Sequence, residues 1–104
     1  RIEGELDRAY DIFSGIVGAN SQRPSAASQL GIAEVLESRG KKREAAEEYL
    51  KVHFLYPDQA DLAAEGLFKA GLLYWTEGYR ERASELFDRL AAEYPGSPWL
   101  DKVP

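Results

Sequence analysis

Several residue types that mark particular classes of protein are missing or rare in this chain. Among its 104 residues there is no cysteine, no methionine and one histidine. The lack of cysteine excludes disulfide bridges and zinc–thiolate sites, and leaves the redox compartment open. No apolar run approaches the roughly 18 residues of a membrane-spanning helix, and no signal-peptide pattern is present. Because an initiator methionine is also missing, we expect a processed chain or a piece of a longer protein.

Basic residues are too few to balance the acidic ones. Eighteen Asp and Glu against 13 Lys and Arg give a net charge of −5. A chain of this charge repels the phosphate backbone and anionic membranes, so we expect neither nucleic acid nor membrane insertion. The length suits one domain whose core needs neither a disulfide nor a metal.

Apolar residues recur at spacings of three and four, without the sustained alternation of a half-buried strand. Prolines and Gly40 divide the pattern into segments, because proline removes a backbone donor and helices tend to stop before it. The pattern predicts an all-α fold. The expected helices lie near residues 3–18, 25–39, 42–55, 60–76 and 79–93.

The second half of the chain repeats the plan of the first with a shift of 38 residues. The aligned pairs are Ala33 with Gly71, Val35 with Leu73, Leu36 with Tyr74, Gly40 with Gly78, Ala45 with Ala83, Tyr49 with Phe87, Tyr56 with Tyr94 and Pro57 with Pro95. The aligned glycines allow a left-handed turn that reverses the chain. The aligned alanines let two helices approach closely. An earlier segment, with Ala9, Phe13 and Ile16, has the same spacing as the second helix of each pair.

This pattern resembles the tetratricopeptide repeat, a 34-residue helix–turn–helix unit that reads W-x2-L-G-x2-Y, then A-x3-F, then P. The matching residues are Gly71, Tyr74, Ala83, Phe87 and Pro95 in one copy, and Ala33, Leu36, Ala45, Tyr49 and Pro57 in the other. The chain departs from the motif at its tryptophan position, which holds Gln29 and Leu67, at its leucine position, which holds Ile32 and Ala70, and in its longer period.

The resemblance implies antiparallel helix hairpins stacked as a short right-handed α-solenoid in one domain, 1–104. Its parts would be 1–21, the second helix of a partial repeat; 24–57 and 62–95, two repeats; and 96–104, the start of a further helix or a tail. The Tyr-Pro endings are also similar to long-period repeats of bacterial cell-envelope proteins, of the Tol-Pal-associated and outer-membrane assembly types. That similarity favours a periplasmic location, and a cytoplasmic one stays open.

The resemblance also implies a non-catalytic module that binds a peptide or helix of a partner protein in a concave groove. Carried over onto this chain, the candidate groove residues are Leu30, Glu34, Glu37, Phe68, Leu72 and Trp75. An apolar floor with an acidic rim favours a partner with a hydrophobic anchor and a Lys or Arg. For Phe68 and Trp75, the alternative is packing on a neighbouring helix of the same chain.

No residue pattern calls for catalysis, a cofactor or a metal. His53 has no second histidine or cysteine beside it, so we interpret it as structural or solvent-exposed. Asp58 and Asp61 lie at a helix start, where carboxylates cap free amides and favour the positive end of the helix dipole. We therefore expect no enzymatic activity.

Two other functions stay open. The chain could be a self-associating structural domain, because the first predicted helix has no partner helix to cover it. Its uncovered end would consist of Ile2, Leu6, Phe13 and Ile16. The chain could instead be an accessory region of a multidomain enzyme or a secretion machine.

Overall fold

Four α-helices and one short 3-10 helix make up most of the described chain. The structure is a computed structural model, and it describes residues 22–104. The elements are α1 (Gln22–Ser38), α2 (Lys42–Leu55), α3 (Ala60–Thr76), α4 (Arg80–Glu93) and the 3-10 helix (Pro98–Lys102). These residues contain no strand, which confirms the all-α prediction for them. The helix predicted over 3–18 and the uncovered end at Ile2, Leu6, Phe13 and Ile16 lie outside the described residues.

The bounds of α2 and α3 are those predicted from the sequence, and α4 differs by one residue. The larger difference is in α1, which contains Pro24 instead of starting after it. Proline removes only its own amide donor, and the first amides of a helix have no partner within the helix. Pro24 is therefore tolerated near the start of α1, and treating it as a boundary was wrong.

Each helix packs on the next one along the chain, and α3 lies between α2 and α4. The connections at 39–41, 56–59 and 77–79 are only three or four residues long, so consecutive helices run antiparallel. Contact between α1 and α3 is slight by comparison. These two helices run in the same direction, and each is held mainly by α2.

The two helix pairs repeat each other closely. The bounds of α3 and α4 are those of α1 and α2 shifted by 38 residues. Gly40 and Gly78 follow α1 and α3 with φ of 79° and 91°, the left-handed region. One residue later, the amide of Lys41 donates to the Leu36 carbonyl at 3.0 Å, and that of Tyr79 to the Tyr74 carbonyl at 2.9 Å. These bonds close each helix in a Schellman turn, which confirms the predicted chain reversal.

Small residues set the spacing between helices. Ala45 and Ala83 are completely buried, as expected of close-contact positions. A Cβ atom added to Gly71 would lie 2.5 Å from the ring of Phe87, so the aromatic ring fills the space that the glycine leaves. The core therefore depends on matched pairs of a small and a large residue on facing helices.

We predict that Ala83→Leu overpacks the interface between α3 and α4. Added methylenes in a filled core force strained side chains or backbone shifts, which should lower the free energy of unfolding by about 1–3 kcal/mol. Urea unfolding followed by circular dichroism measures the change. Ala91→Leu, an identical change at an exposed position of the same helix, is the matched control. Equal midpoints for both variants would contradict the packing register.

Candidate functional site

Side chains of α1 and α3 meet along one surface, which we name the α1/α3 face. Near the helix starts, the guanidinium of Arg23 donates to both carboxylate oxygens of Asp61, each at 2.8 Å. Further along, Lys69 Nζ lies 3.3 Å from a carboxylate oxygen of Glu34. Because residues three or four apart share one side of a helix, Glu37 and Leu72 follow these residues on the same face. The face is defined here by Glu34, Glu37, Glu65, Lys69 and Leu72.

Lys69 lies at the centre of the α1/α3 face. Its ammonium group is 2.7 Å from Glu65 and 3.3 Å from Glu34, so one cation bridges two carboxylates on two helices. It also lies 5.8 Å from the ring centroids of Tyr49 and Trp99. Partial burial lowers the pKa of Lys69, but the two carboxylates outweigh that effect and the net pKa is raised. The lysine therefore stays charged and holds both acids in place.

Glu37 is an exposed carboxylate that receives a hydrogen bond from the protein interior. The Tyr49 hydroxyl donates to Glu37 Oε1 at 2.6 Å, although Tyr49 itself is only 1% exposed. Burial and the nearby carboxylate raise the pKa of Tyr49 above its ordinary value, so the hydroxyl stays protonated. This bond orients Glu37 while leaving its carboxylate accessible from solvent.

The predicted apolar floor is only partly accessible. Leu72 is 36% exposed and Trp75 is half-buried, whereas Leu30 and Phe68 are 7% and 6% exposed. Leu30 and Phe68 therefore contribute to packing between helices and not to an open surface. The reason at Phe68 is Trp99, whose ring stacks on it with centroids 5.1 Å apart.

Trp75 combines the two environments that the sequence left open. Its ring packs against Phe87 of α4, with centroids 6.4 Å apart. Its other surroundings include the guanidinium of Arg80, 4.0 Å from the ring centroid, whose Nε also donates to the Trp75 carbonyl at 3.2 Å. Trp75 thus packs on a neighbouring helix and keeps part of its ring in contact with solvent.

Three residues of this region were missed by sequence reasoning. Glu65 and Lys69 have the i,i+4 spacing of a helix ion pair, which was an available signal. Trp99 gave no such signal, because it follows the last predicted helix and belongs to no periodic pattern.

His53 is buried and fully engaged. Its Nδ1 lies 2.8 Å from the Tyr94 hydroxyl, and its Nε2 lies 3.5 Å from a carboxylate oxygen of Glu93. Burial lowers the pKa of His53, an effect that Glu93 opposes and Arg89 reinforces. The imidazole joins the end of α2 to the end of α4, which agrees with the structural interpretation.

The acidic pair at the start of α3 also has a structural arrangement. The hydrogen bonds from Arg23 lower the pKa of Asp61 to about 2. The carboxylate additionally accepts from the backbone amide of Leu62, in the first turn. The predicted role at the helix start is therefore joined by a larger one, the link from α3 to α1. Asp58 and Asp61 do not converge with a third acid or histidine, and residues 22–104 contain no cluster that could hold a metal ion.

Comparison of the chain with protein-family models, curated proteins and solved structures found no match. Across residues 22–104, every helix is too short or too polar to cross a membrane. The geometry of the α1/α3 face is therefore the basis for a functional proposal.

We predict that stability depends on pH through His53. Its pKa is lowered on folding, so the unfolded chain binds more protons below its ordinary value of 6.5. The free energy of unfolding should therefore fall as the pH decreases through that value, and the contribution of this group should be constant above it. Urea unfolding between about pH 7.5 and pH 5 measures this effect.

The matched control is His53→Gln, which keeps a polar side chain and does not titrate in this range. Both proteins share the titration of their carboxylates, so the difference between the two pH profiles isolates the imidazole. Parallel profiles would show that burial does not shift the pKa of His53.

Proposed function

We propose that this chain is a non-catalytic protein–protein interaction module of the tetratricopeptide type, and that its α1/α3 face binds a peptide or helix of a partner protein. The observation that carries the proposal is the exposed Leu72 on a face otherwise formed by carboxylates. An apolar side chain in that position offers contact area to a ligand. The repeated helix pairs and the side-by-side arrangement of α1 and α3 support the family assignment and a short solenoid.

The charges of the face favour a basic partner. Glu34 and Glu37 are exposed, and Lys69 neutralises only part of the acid present. The Tyr49 hydroxyl holds Glu37 in position from beneath, so little side-chain entropy is lost when a partner's Lys or Arg binds it. The preferred ligand therefore has an apolar anchor for Leu72 and Trp75 and a cation for Glu37.

We predict that Leu72→Ala weakens binding and leaves the fold intact. The probe is a set of short synthetic peptides that combine one Leu, Phe or Trp with one Lys or Arg at different spacings. Fluorescence polarisation should give at least a tenfold loss of affinity for the peptide that binds best, equal to about 1.4 kcal/mol.

Leu55→Ala is the matched control, because Leu55 is also exposed and lies on α2, away from the face. Peptides in which Asp replaces the cation test the charge preference. The absence of any binding peptide, or an equal loss in both leucine variants, would contradict the proposed surface.

We predict that Trp75→Ala affects binding and stability to different extents. Because Trp75 is half-buried on Phe87, its truncation should cost about 2 kcal/mol of unfolding free energy, less than the roughly 3–5 kcal/mol for a fully buried aromatic. Peptide affinity should fall by more than tenfold at a temperature where the variant is folded. A larger loss of stability with unchanged affinity would make Trp75 a core residue only.

A further inference from the structure

The residues after α4 begin in the place of a third first-type helix. The 3-10 helix starts at Pro98, which is 38 residues after Ala60, the first residue of α3. Ser97 caps it, with its Oγ accepting from the Trp99 amide at 3.2 Å. The two earlier first-type helices contain 17 residues each, but this one contains five.

Two residues of this segment are unsuited to the place of α3. Asp101 corresponds to Ala63, which is completely buried, whereas Asp101 is exposed. Pro104 corresponds to Gly66, where an added Cβ would lie 2.5 Å from the carbonyl oxygen of Tyr49. Proline adds such an atom and also breaks a helix interior. A helix like α3 therefore cannot form here in the same position.

The outer face of α4 also differs from that of α2. Ala46 and Leu50 of α2 are buried, and Ala46 lies beside Leu73 and Tyr74 of α3. The equivalent residues of α4, Ser84 and Asp88, are exposed. A further hairpin packed on α4 would bury Asp88 against apolar side chains, which is unfavourable for an unpaired carboxylate.

Trp99 covers the apolar surface that remains at this end. Its ring stacks on Phe68 at 30°, and Lys102 Nζ lies 4.5 Å from its other contacts, over the ring centroid. Leu100 and Val103 are also partly buried against the core. Residues 97–103 thus replace a helix with a short segment that has one aromatic anchor.

We infer that residues 97–103 are a terminal cap, anchored by Trp99, that closes the α4 end of the array to further hairpins of this kind. Repeat arrays need end units with a polar outer face, because an uncovered apolar face associates with other molecules. The cap and the polar side of α4 together supply that face. The inference goes beyond the proposed function, since it decides where the array stops and not what the α1/α3 face binds.

The test adds a hairpin where the inference says that none is accepted. An extended chain joins residues 1–97 to residues 60–104, so that a copy of α3 and α4 follows the original α4 in register. A second form carries Ser84→Ala and Asp88→Leu in the original α4, which gives it the residues of α2. The same two substitutions in the 104-residue chain are the control for their intrinsic effect.

Calorimetry should separate the two extended chains. The unmodified form should show a second, lower transition for the added hairpin, and a main Tm no higher than that of the 104-residue chain. The substituted form should melt in one transition, at least about 5 °C above the unmodified form after subtraction of the control. One transition with a raised Tm in the unmodified form would overturn the inference.

A variant of the natural length tests the anchor. Trp99→Ala should uncover Phe68, lower the Tm by at least about 5 °C and increase the binding of a hydrophobic dye. Trp99→Phe should restore most of the Tm, because it keeps a ring over Phe68. Lys102→Ala is the control for a change in the same segment that leaves the ring in place. A Trp99→Ala variant with the Tm and dye binding of the parent would show that these residues are not a cap.

Discussion

The arrangement of the helices depends on how closely α3 can approach its two neighbours. It has a glycine on each side for this purpose. A Cβ on Gly66 would lie 2.5 Å from the backbone of Tyr49 in α2, and one on Gly71 would lie equally close to the Phe87 ring in α4. No other residue fits either position without a shift of the helix. Because α3 is held this closely, the Tyr49 ring lies beneath the α1/α3 face, where its hydroxyl reaches Glu37.

The α1/α3 face is formed differently from the rest of the molecule. Apolar packing holds both helices on α2, whereas the direct links between them are ion pairs at Arg23 and Lys69. The Arg23 pair is more than half exposed, and such pairs contribute only about 0–1 kcal/mol. The ion pairs therefore add little to stability, and a partner's cation can compete for Glu34 at small cost to the fold. Position and strength come from α2, and the face itself remains available for exchange.

The sequence predicts the helices well because the signals that end them are local. Gly40 and Gly78 need only their own backbone conformation to terminate α1 and α3, and the 38-residue shift then aligns the two pairs. Surface exposure is a less local property. Helical spacing gives the direction in which Phe68 points, but what covers it is Trp99, from a segment outside the periodic pattern. For the same reason, the spacing of Leu72 and Trp75 could not show that Arg80 would lie over the tryptophan ring.

Differences between equivalent residues give the α1/α3 face a direction. Glu37 of α1 corresponds to Trp75 of α3, and in each case the next helix supplies a matching ring. The Tyr49 hydroxyl donates to Glu37, whereas Phe87, which has no hydroxyl, packs on Trp75. Exchanging the two rings would leave Glu37 without its donor and place a hydroxyl beside an indole face. One backbone plan thus carries an acidic position on α1 and an apolar one on α3. In the proposed binding mode, a ligand therefore lies with its cation towards α1 and its apolar anchor towards α3.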